Sequence, residues 1–361
     1  MMEFWTLSAA MAASAGEQAA AAERDGWDGM LVPDAQSLMS DVYVSLTAAA
    51  IATRTLKLGT GVTNPFTRHP AVAASAIVAL QELSHGRAVL GIGRGDNSLA
   101  HLGLAPASPK LFEGYLTKLQ GYLRGEPVRF DENDRAGMHS VDRLPSAGAP
   151  EHTVLRWLNP SLPKVPVDVA ASGPKVIRLA AVLADRLTFA LGADPKRLEW
   201  AVATARDARE RAGLDPASLT FGAYLNVAPH PDPDVAVKLA AIGVTTFSRF
   251  SAMHGKVSSP MRSDDTAEVE RLVSTYDLGH HGDPAADHRT AVSDEYISRF
   301  GIAGPVEHCI ARLREIQQVG IDRVVLLELG NANVQQLIDS RAALLGEVMP
   351  ALQATNALLE R

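Results

Sequence analysis

Apolar residues along this chain fall into two alternating patterns. Short, near-continuous runs occupy residues 4–7, 29–32, 56–59, 88–92, 167–170, 187–190, 221–227 and 323–327. They show little polar alternation, which predicts strands of a parallel sheet buried on both faces. Between them, apolar positions recur every three or four residues, which predicts helices over 16–24, 42–52, 72–83, 112–123, 175–183, 197–212, 235–242, 306–319 and 334–358. The clearest has Val306, Cys309, Ile310, Leu313, Ile316 and Val319 on one face, entered through Gly304-Pro305 and left at Gly320.

Eight strands alternating with helices predict an α/β (β/α)8 TIM barrel with insertions after the fourth and seventh strands. The insertions, about residues 130–166 and 245–304, exceed a normal βα connection and suit lids or substrate loops. Neither carries a hydrophobic core of its own in the sequence, so one domain spanning 1–361 is expected.

Composition narrows the classes of function. Lys and Arg number 34 against 41 Asp and Glu, a net charge of −7, with no basic block, which argues against nucleic acid. The single cysteine, Cys309, excludes an intramolecular disulfide and a Cys-x-x-Cys site, and suits a cytoplasmic protein. The apolar N-terminus has no basic residue before Arg24, and no apolar stretch is long enough for a membrane span. His280, His281 and His288 lack typical metal-site spacing, so no metal is expected. Cys309 belongs to an apolar stripe and reads as core. His69, just before Pro70, either approaches the site or caps the turn.

In this architecture the chemistry sits at the C-terminal ends of the strands. Those ends read Ser8; Pro33-Asp34-Ala35-Gln36; Gly61-Val62-Thr63-Asn64; Gly93-Arg94-Gly95-Asp96; Ala171-Ser172-Gly173; Leu191-Gly192; Asn226; and Glu328. Glycines and neutral polar groups gather on this rim. Residues 91–96 (GIGRGD) fit a dinucleotide fingerprint poorly, because Asp96 stands where the third glycine belongs and the strand is the fourth. Ala171-Ser172-Gly173-Pro174-Lys175 leaves a strand and starts a helix, an arrangement equally suited to capping and to holding a phosphate on backbone N–H groups. Asp34 and Glu328 are the acidic residues that follow the second and last strands, and each also suits a turn.

The blocks LGTGVTNPFTRHP (58–70) and SHGRAVLGIGRGD (84–96), together with ASGPK (171–175) and FGIAGP (300–305), resemble the luciferase-like monooxygenase superfamily. The nearest branch is that of methylenetetrahydromethanopterin reductase and related coenzyme F420-dependent oxidoreductases. The resemblance implies hydride transfer between F420 and a small organic substrate. Its alternatives are an FMN-dependent two-component monooxygenase and a non-catalytic binding protein on the same barrel. It implies a cofactor held by Gly61, Val62, Thr63, Asn64, Gly93, Arg94, Ala171, Ser172, Gly173 and Leu191, with its phosphate near Ser172 and Gly173. It also implies a non-prolyl cis peptide at Gly61-Val62, pressed on one ring face, and a homodimer. The resemblance matches Asp34 to the family's acidic residue after the second strand, which implies an acid/base or orienting role for it, with Glu328 a weaker candidate. Where several relatives have a histidine next, this chain has Ala35, which removes a potential proton donor. In a globally acidic protein, Arg94 or Lys175 is the expected local attraction for an anionic cofactor.

Overall fold

A computed structural model describes the chain except for residues 10, 131–140, 144, 146, 147, 149, 254, 281–289, 328–332 and 354–361. Eight parallel strands close a barrel: β1 (Glu3–Leu7), β2 (Gly29–Val32), β3 (Lys57–Thr60), β4 (Ala88–Ile92), β5 (Val167–Ala171), β6 (Arg186–Phe189), β7 (Thr220–Leu225) and β8 (Arg323–Leu326). Each pairs with its sequence neighbours, and β8 closes on β1 through Glu3↔Arg323 to Thr6↔Leu326. Helices α1 (Ala15–Arg24), α2 (Val42–Ala52), α3 (Pro70–Leu83), α4 (Pro109–Leu123), α5 (Pro174–Leu183) and α6 (Pro195–Arg211) follow successive strands on the outside.

The strands are apolar on both faces because both are covered. Phe4, Met30, Leu58, Leu90 and Val167 pack outward against the helices, while Trp5, Leu31, Val89, Tyr224 and Val325 fill the barrel interior. A Cβ on Gly29 would lie 2.4 Å from the Trp5 indole, so the absence of a side chain there makes room for the largest interior residue. The N-terminal end is tied by charge. Glu3 accepts from Trp5 Nε1 (3.1 Å), Lys57 Nζ (2.7 Å) and Arg323 Nε (2.8 Å), and the Arg323 guanidinium lies 4.0 Å over the Trp5 ring. Burial alone would raise the Glu3 pKa, but Arg323 and Lys57 outweigh it and bring it down to about 2.

Both insertions follow the expected strands, and the second is less loop-like than the sequence suggests. After β4 come α4 and a short antiparallel pairing of Val128–Arg129 with His152–Thr153. After β7 the chain forms α7 (Pro233–Ser248), α8 (Ser263–Thr275) and α9 (Asp294–Phe300) before α10 (Val306–Gln318) leads into β8. The α8 pattern is hard to read because only Asp265, Val269 and Leu272 are buried along its 13 residues, too narrow a stripe to stand out. The single helix expected over 334–358 is α11 (Val334–Ala343), a π-helical turn over Leu344–Val348, and a further helix over Met349–Gln353. Val235, Leu239 and Phe247 of α7, Val269 of α8, and Tyr296 and Phe300 of α9 pack in one cluster with the barrel-interior residues. Val227–Pro229 runs parallel to Ile302–Gly304, so the two ends of that insertion lie side by side.

Candidate functional site

A cavity of about 700 Å³ opens at the C-terminal ends of the strands. Its floor and one wall are backbone-rich: Gly61 and Val62 after β3, Gly93 and Arg94 after β4, and Ala171, Ser172 and Gly173 after β5. The Gly61–Val62 peptide is cis, at the position the resemblance implies. A Cβ on Gly61 would lie 2.7 Å from Leu31 and Leu7, and one on Gly93 would lie 3.2 Å from Val62, so only glycine keeps this strip flat. At its end stands the N-terminus of α5, with Gly173 as N-cap, Pro174 in the first turn and no side-chain cap. First-turn N–H groups have no partner within a helix, and here Gly173 and Val176 both line the cavity.

The opposite wall comes from the second insertion: Phe247, Phe250, Ser251, Met253, Lys256 and Ser258. Aromatic rings step outward from the barrel interior. Tyr224 stacks on Phe247 at 5.5 Å, and Phe247 meets Phe250 at 5.9 Å. Arg249 fixes this wall to the β4 exit, donating Nη1 to Asp96 Oδ1 (3.0 Å) while its guanidinium sits 4.8 Å from the Phe250 ring and 4.7 Å from the Tyr276 ring. Burial lowers the Arg249 pKa. Arg197, also buried, donates to Leu191 O (2.6 Å), Ser251 Oγ (2.9 Å) and Ser259 Oγ (2.8 Å), holding the same segment from behind.

Asp34, 4% exposed, lines the cavity at the exit of β2. Its Oδ2 accepts from Thr63 Oγ1 (2.6 Å) and from Arg68 Nη1 (2.5 Å). Arg68 also donates Nη2 to Asp41 Oδ2 (2.8 Å) and lies 4.9 Å over the Tyr43 ring. Burial alone would lower the Arg68 pKa, but Asp34, Tyr43 and Asp41 outweigh it and raise it.

The residues named from the sequence separate into three groups. Asp34, Gly61, Val62, Gly93, Arg94, Ala171, Ser172 and Gly173 line one cavity. Thr63, Asn64 and Leu191 stand behind it: Thr63 binds Asp34, Asn64 Oδ1 caps the turn at Phe66 and Thr67, and Leu191 accepts from Arg197. Glu328, His281 and His288 lie outside the described residues. Lys175 is exposed and off the cavity lining, because the first turn of α5 turns Val176 inward instead; Lys256 supplies the second lining cation beside Arg94. Arg94 Nε donates to Ala107 O at 2.5 Å. His69 caps α3, its Nδ1 accepting from Ala71 N (3.2 Å). Cys309 is fully buried, and burial pushes its thiol up to about 12, which suits core rather than chemistry. His280 pairs with Asp277 (2.7 Å), and no group of three metal-type ligands occurs among the described residues.

Sequence reasoning missed the aromatic wall and Lys256, whose segment carries no recognisable spacing. Arg68 lies within the 58–70 stretch, yet its reach to Asp34 depends on the turn that Asn64 caps. No helix among the described residues is long and apolar enough to cross a membrane.

Comparison with known proteins places this geometry. The profile of the luciferase-like monooxygenase family matches residues 4–323. The chain is 29% identical over 311 residues to a 5,10-methylenetetrahydromethanopterin reductase of Methanolobus tindarius, covering 84% of this chain and 86% of that one. Its fold superposes with a TM-score of 0.71 on the coenzyme F420-dependent tetrahydromethanopterin reductase of Methanopyrus kandleri, at 21% identity and over 97% and 98% of the two chains. It superposes at 0.64 on the oxygenating constituent of a 3,6-diketocamphane monooxygenase from Pseudomonas putida, solved with FMN, at 16% identity and over 97% and 98%. With the family profile spanning nearly the whole barrel, this chain belongs to the luciferase-like monooxygenase family of oxidoreductases.

Proposed function

We infer that the cavity binds a deazaflavin of the F420 type and serves hydride transfer between it and a small organic substrate. The carrying observation is the bare-backbone strip Gly61-Val62-Gly93 ending, within one cavity, at the uncapped start of α5. A flat strip suits a tricyclic ring, and an uncapped helix start suits a phosphate. The fit extends to charge, since Lys256 and Arg94 line the cavity of a protein that is negative overall. The M. tindarius relative's name supports a reductase reading; FMN remains the competing cofactor because a ring, a polyol chain and a phosphate are common to both.

When bound, a deazaflavin supplies a two-electron hydride carrier. The chain supplies the rest. Gly61, Val62 and Gly93 support one face of the ring. Ser172, Gly173 and the first turn of α5 receive the phosphate. Phe247, Phe250 and Met253 exclude water above the site, which strengthens the polar contacts inside it. Asp34 Oδ1 orients the substrate or takes up its proton. The homodimer is proposed to form across α2 and α3. Neither helix carries a charge before Glu82, and both leave apolar residues in solvent: Val44 (57% exposed) and Ile51 (72%) on α2, Val72 (55%) and Leu83 (43%) on α3.

Separate titrations with F420 and FMN, followed by tryptophan quenching, test this reading. Tight F420 binding without FMN binding is expected. The reverse result supports the monooxygenase, and binding of neither leaves a non-catalytic protein.

A further inference from the structure

We propose that Arg68 is a positioning residue that presents Asp34 to the cavity through a single oxygen. The inference rests on the reading of Asp34 as the group that meets the substrate, and it names what aims that group.

Asp34 makes its two polar contacts on the same atom. Thr63 Oγ1 and Arg68 Nη1 both donate to Oδ2, at 2.6 and 2.5 Å, and among the described residues Oδ1 takes no hydrogen bond. Two donors on one oxygen fix the plane of a carboxylate, and Asp34 lines the cavity, so Oδ1 is the oxygen left for a ligand. Both donors come from the short segment after β3, whose turn is closed by Asn64 Oδ1 accepting from Phe66 N and Thr67 N at 3.0 Å.

Arg68 is itself fixed from four sides. One arm of its fork holds Asp34 and the other holds Asp41 at 2.8 Å. Tyr43 lies beneath the guanidinium, and the Tyr115 hydroxyl donates to the Arg68 carbonyl at 3.1 Å. Asp41 in turn caps α2, its Oδ1 accepting from Tyr43 N and Val44 N. The aim of Asp34 is therefore referred to the start of a helix rather than to a loop. A lysine at 68 keeps the charge but has no fork to span Asp34 and Asp41 together, so charge and geometry are separable.

The test uses the full chain without cofactor first. In protein labelled with ¹³C at aspartate, the Asp34 carboxyl resonance is assigned by its loss in Asp34→Asn. We expect Arg68→Met to shift and broaden this resonance, Arg68→Lys to do so partly, and added guanidinium ion to restore it in Arg68→Met. In the cofactor-loaded enzyme the same series lowers kcat by about 10- to 100-fold for Arg68→Met, less than the roughly 10²–10⁴-fold that an acid/base group supplies, because Asp34 is misaligned and not removed. Cofactor affinity and the KM for cofactor stay within about twofold, because Arg68 does not line the cavity. Thr63→Val, which removes only the neutral donor, is expected to show a smaller change and guards against a folding defect in the arginine variants. An unmoved resonance in folded Arg68→Met overturns the proposal. Equal loss in Arg68→Lys and Arg68→Met overturns the geometric part of it. If the protein transfers no hydride with either cofactor, the resonance still reports on Arg68, so failure of the broader reading is seen separately.

Discussion

The Arg249–Asp96 pair offers a sharp test of how the second insertion is held over the barrel. Replacing Asp96 by Asn keeps the shape of the side chain and removes its charge. Arg249 then remains as a cation whose side chain is only 8% exposed, and whose pKa is already lowered by burial. Breaking a buried pair from one side costs about 3–5 kcal/mol. The Asp96 side chain is 22% exposed, so the lower end, about 3 kcal/mol, is appropriate. The stacking of Arg249 on Phe250 and Tyr276 survives the change and adds nothing to the loss. With an unfolding entropy of roughly 2.1 cal/mol/K per residue, a chain of this length loses about 4 °C in Tm for that penalty. Arg249→Met is the complementary perturbation. It leaves Asp96 in a partly wet position and replaces a desolvated cation by an apolar chain, so it is expected to cost less than Asp96→Asn. The double variant should then be more stable than Asp96→Asn alone. Calorimetry of the three variants, with hydrogen exchange over residues 93–98 and 246–253, makes the measurement. An unchanged Tm in Asp96→Asn, or a larger loss in Arg249→Met, refutes the reasoning.

Other consequences are simpler to state. Asp34→Asn is expected to lower turnover by about 10²–10⁴-fold while leaving cofactor affinity within a few-fold, measured by steady-state kinetics and fluorescence titration; unchanged turnover rejects its role in chemistry. Because Arg323 and Lys57 hold Glu3 at about 2, its contribution to stability is complete above about pH 4.5 and is lost as pH falls from there toward 2. Glu3→Gln should therefore flatten the acid limb of a Tm-versus-pH curve in that window, and a limb of unchanged slope counts against the assignment. Ile51→Glu combined with Val72→Glu should give a monomer by light scattering if α2 and α3 form the homodimer surface, and a monomeric parent protein refutes that surface outright.

The barrel is largely legible in the sequence, and the reason is local. A strand covered on both faces needs apolar residues at every position, as in Ala88–Ile92, and such runs are visible without knowledge of partners. Gly61, Gly93 and Gly173 are legible as residues of the cavity rim because they end strands and fall within the blocks that carry the family resemblance. Arg68, Lys256 and the Tyr224–Phe247–Phe250 rings are not. Their roles depend on where a side chain ends after the chain has turned, and Arg249 meets Asp96 across 153 residues of sequence. Lys175 shows the same limit from the other side: its position at a helix start was legible, but the direction of its side chain was not. The α8 helix stayed hidden because its buried stripe is so thin.

The parallel contact between Val227–Pro229 and Ile302–Gly304 reaches further than local stability. It is continued by His230 N donating to Gly304 O (2.9 Å) and Ile302 N donating to Asn226 O (2.8 Å), so the polypeptide leaves the barrel and returns at one clamped doorway. Among the described residues, the segment between is also held to the barrel through Arg249–Asp96 and Arg197–Ser251. Its contents face the cavity through Phe247, Phe250, Met253 and Lys256, yet the register of β7 and β8 is set outside it. Changes in length or composition within this segment are thus expected to alter the wall of the cavity mouth while the Gly61-Val62-Gly93 strip below stays in place.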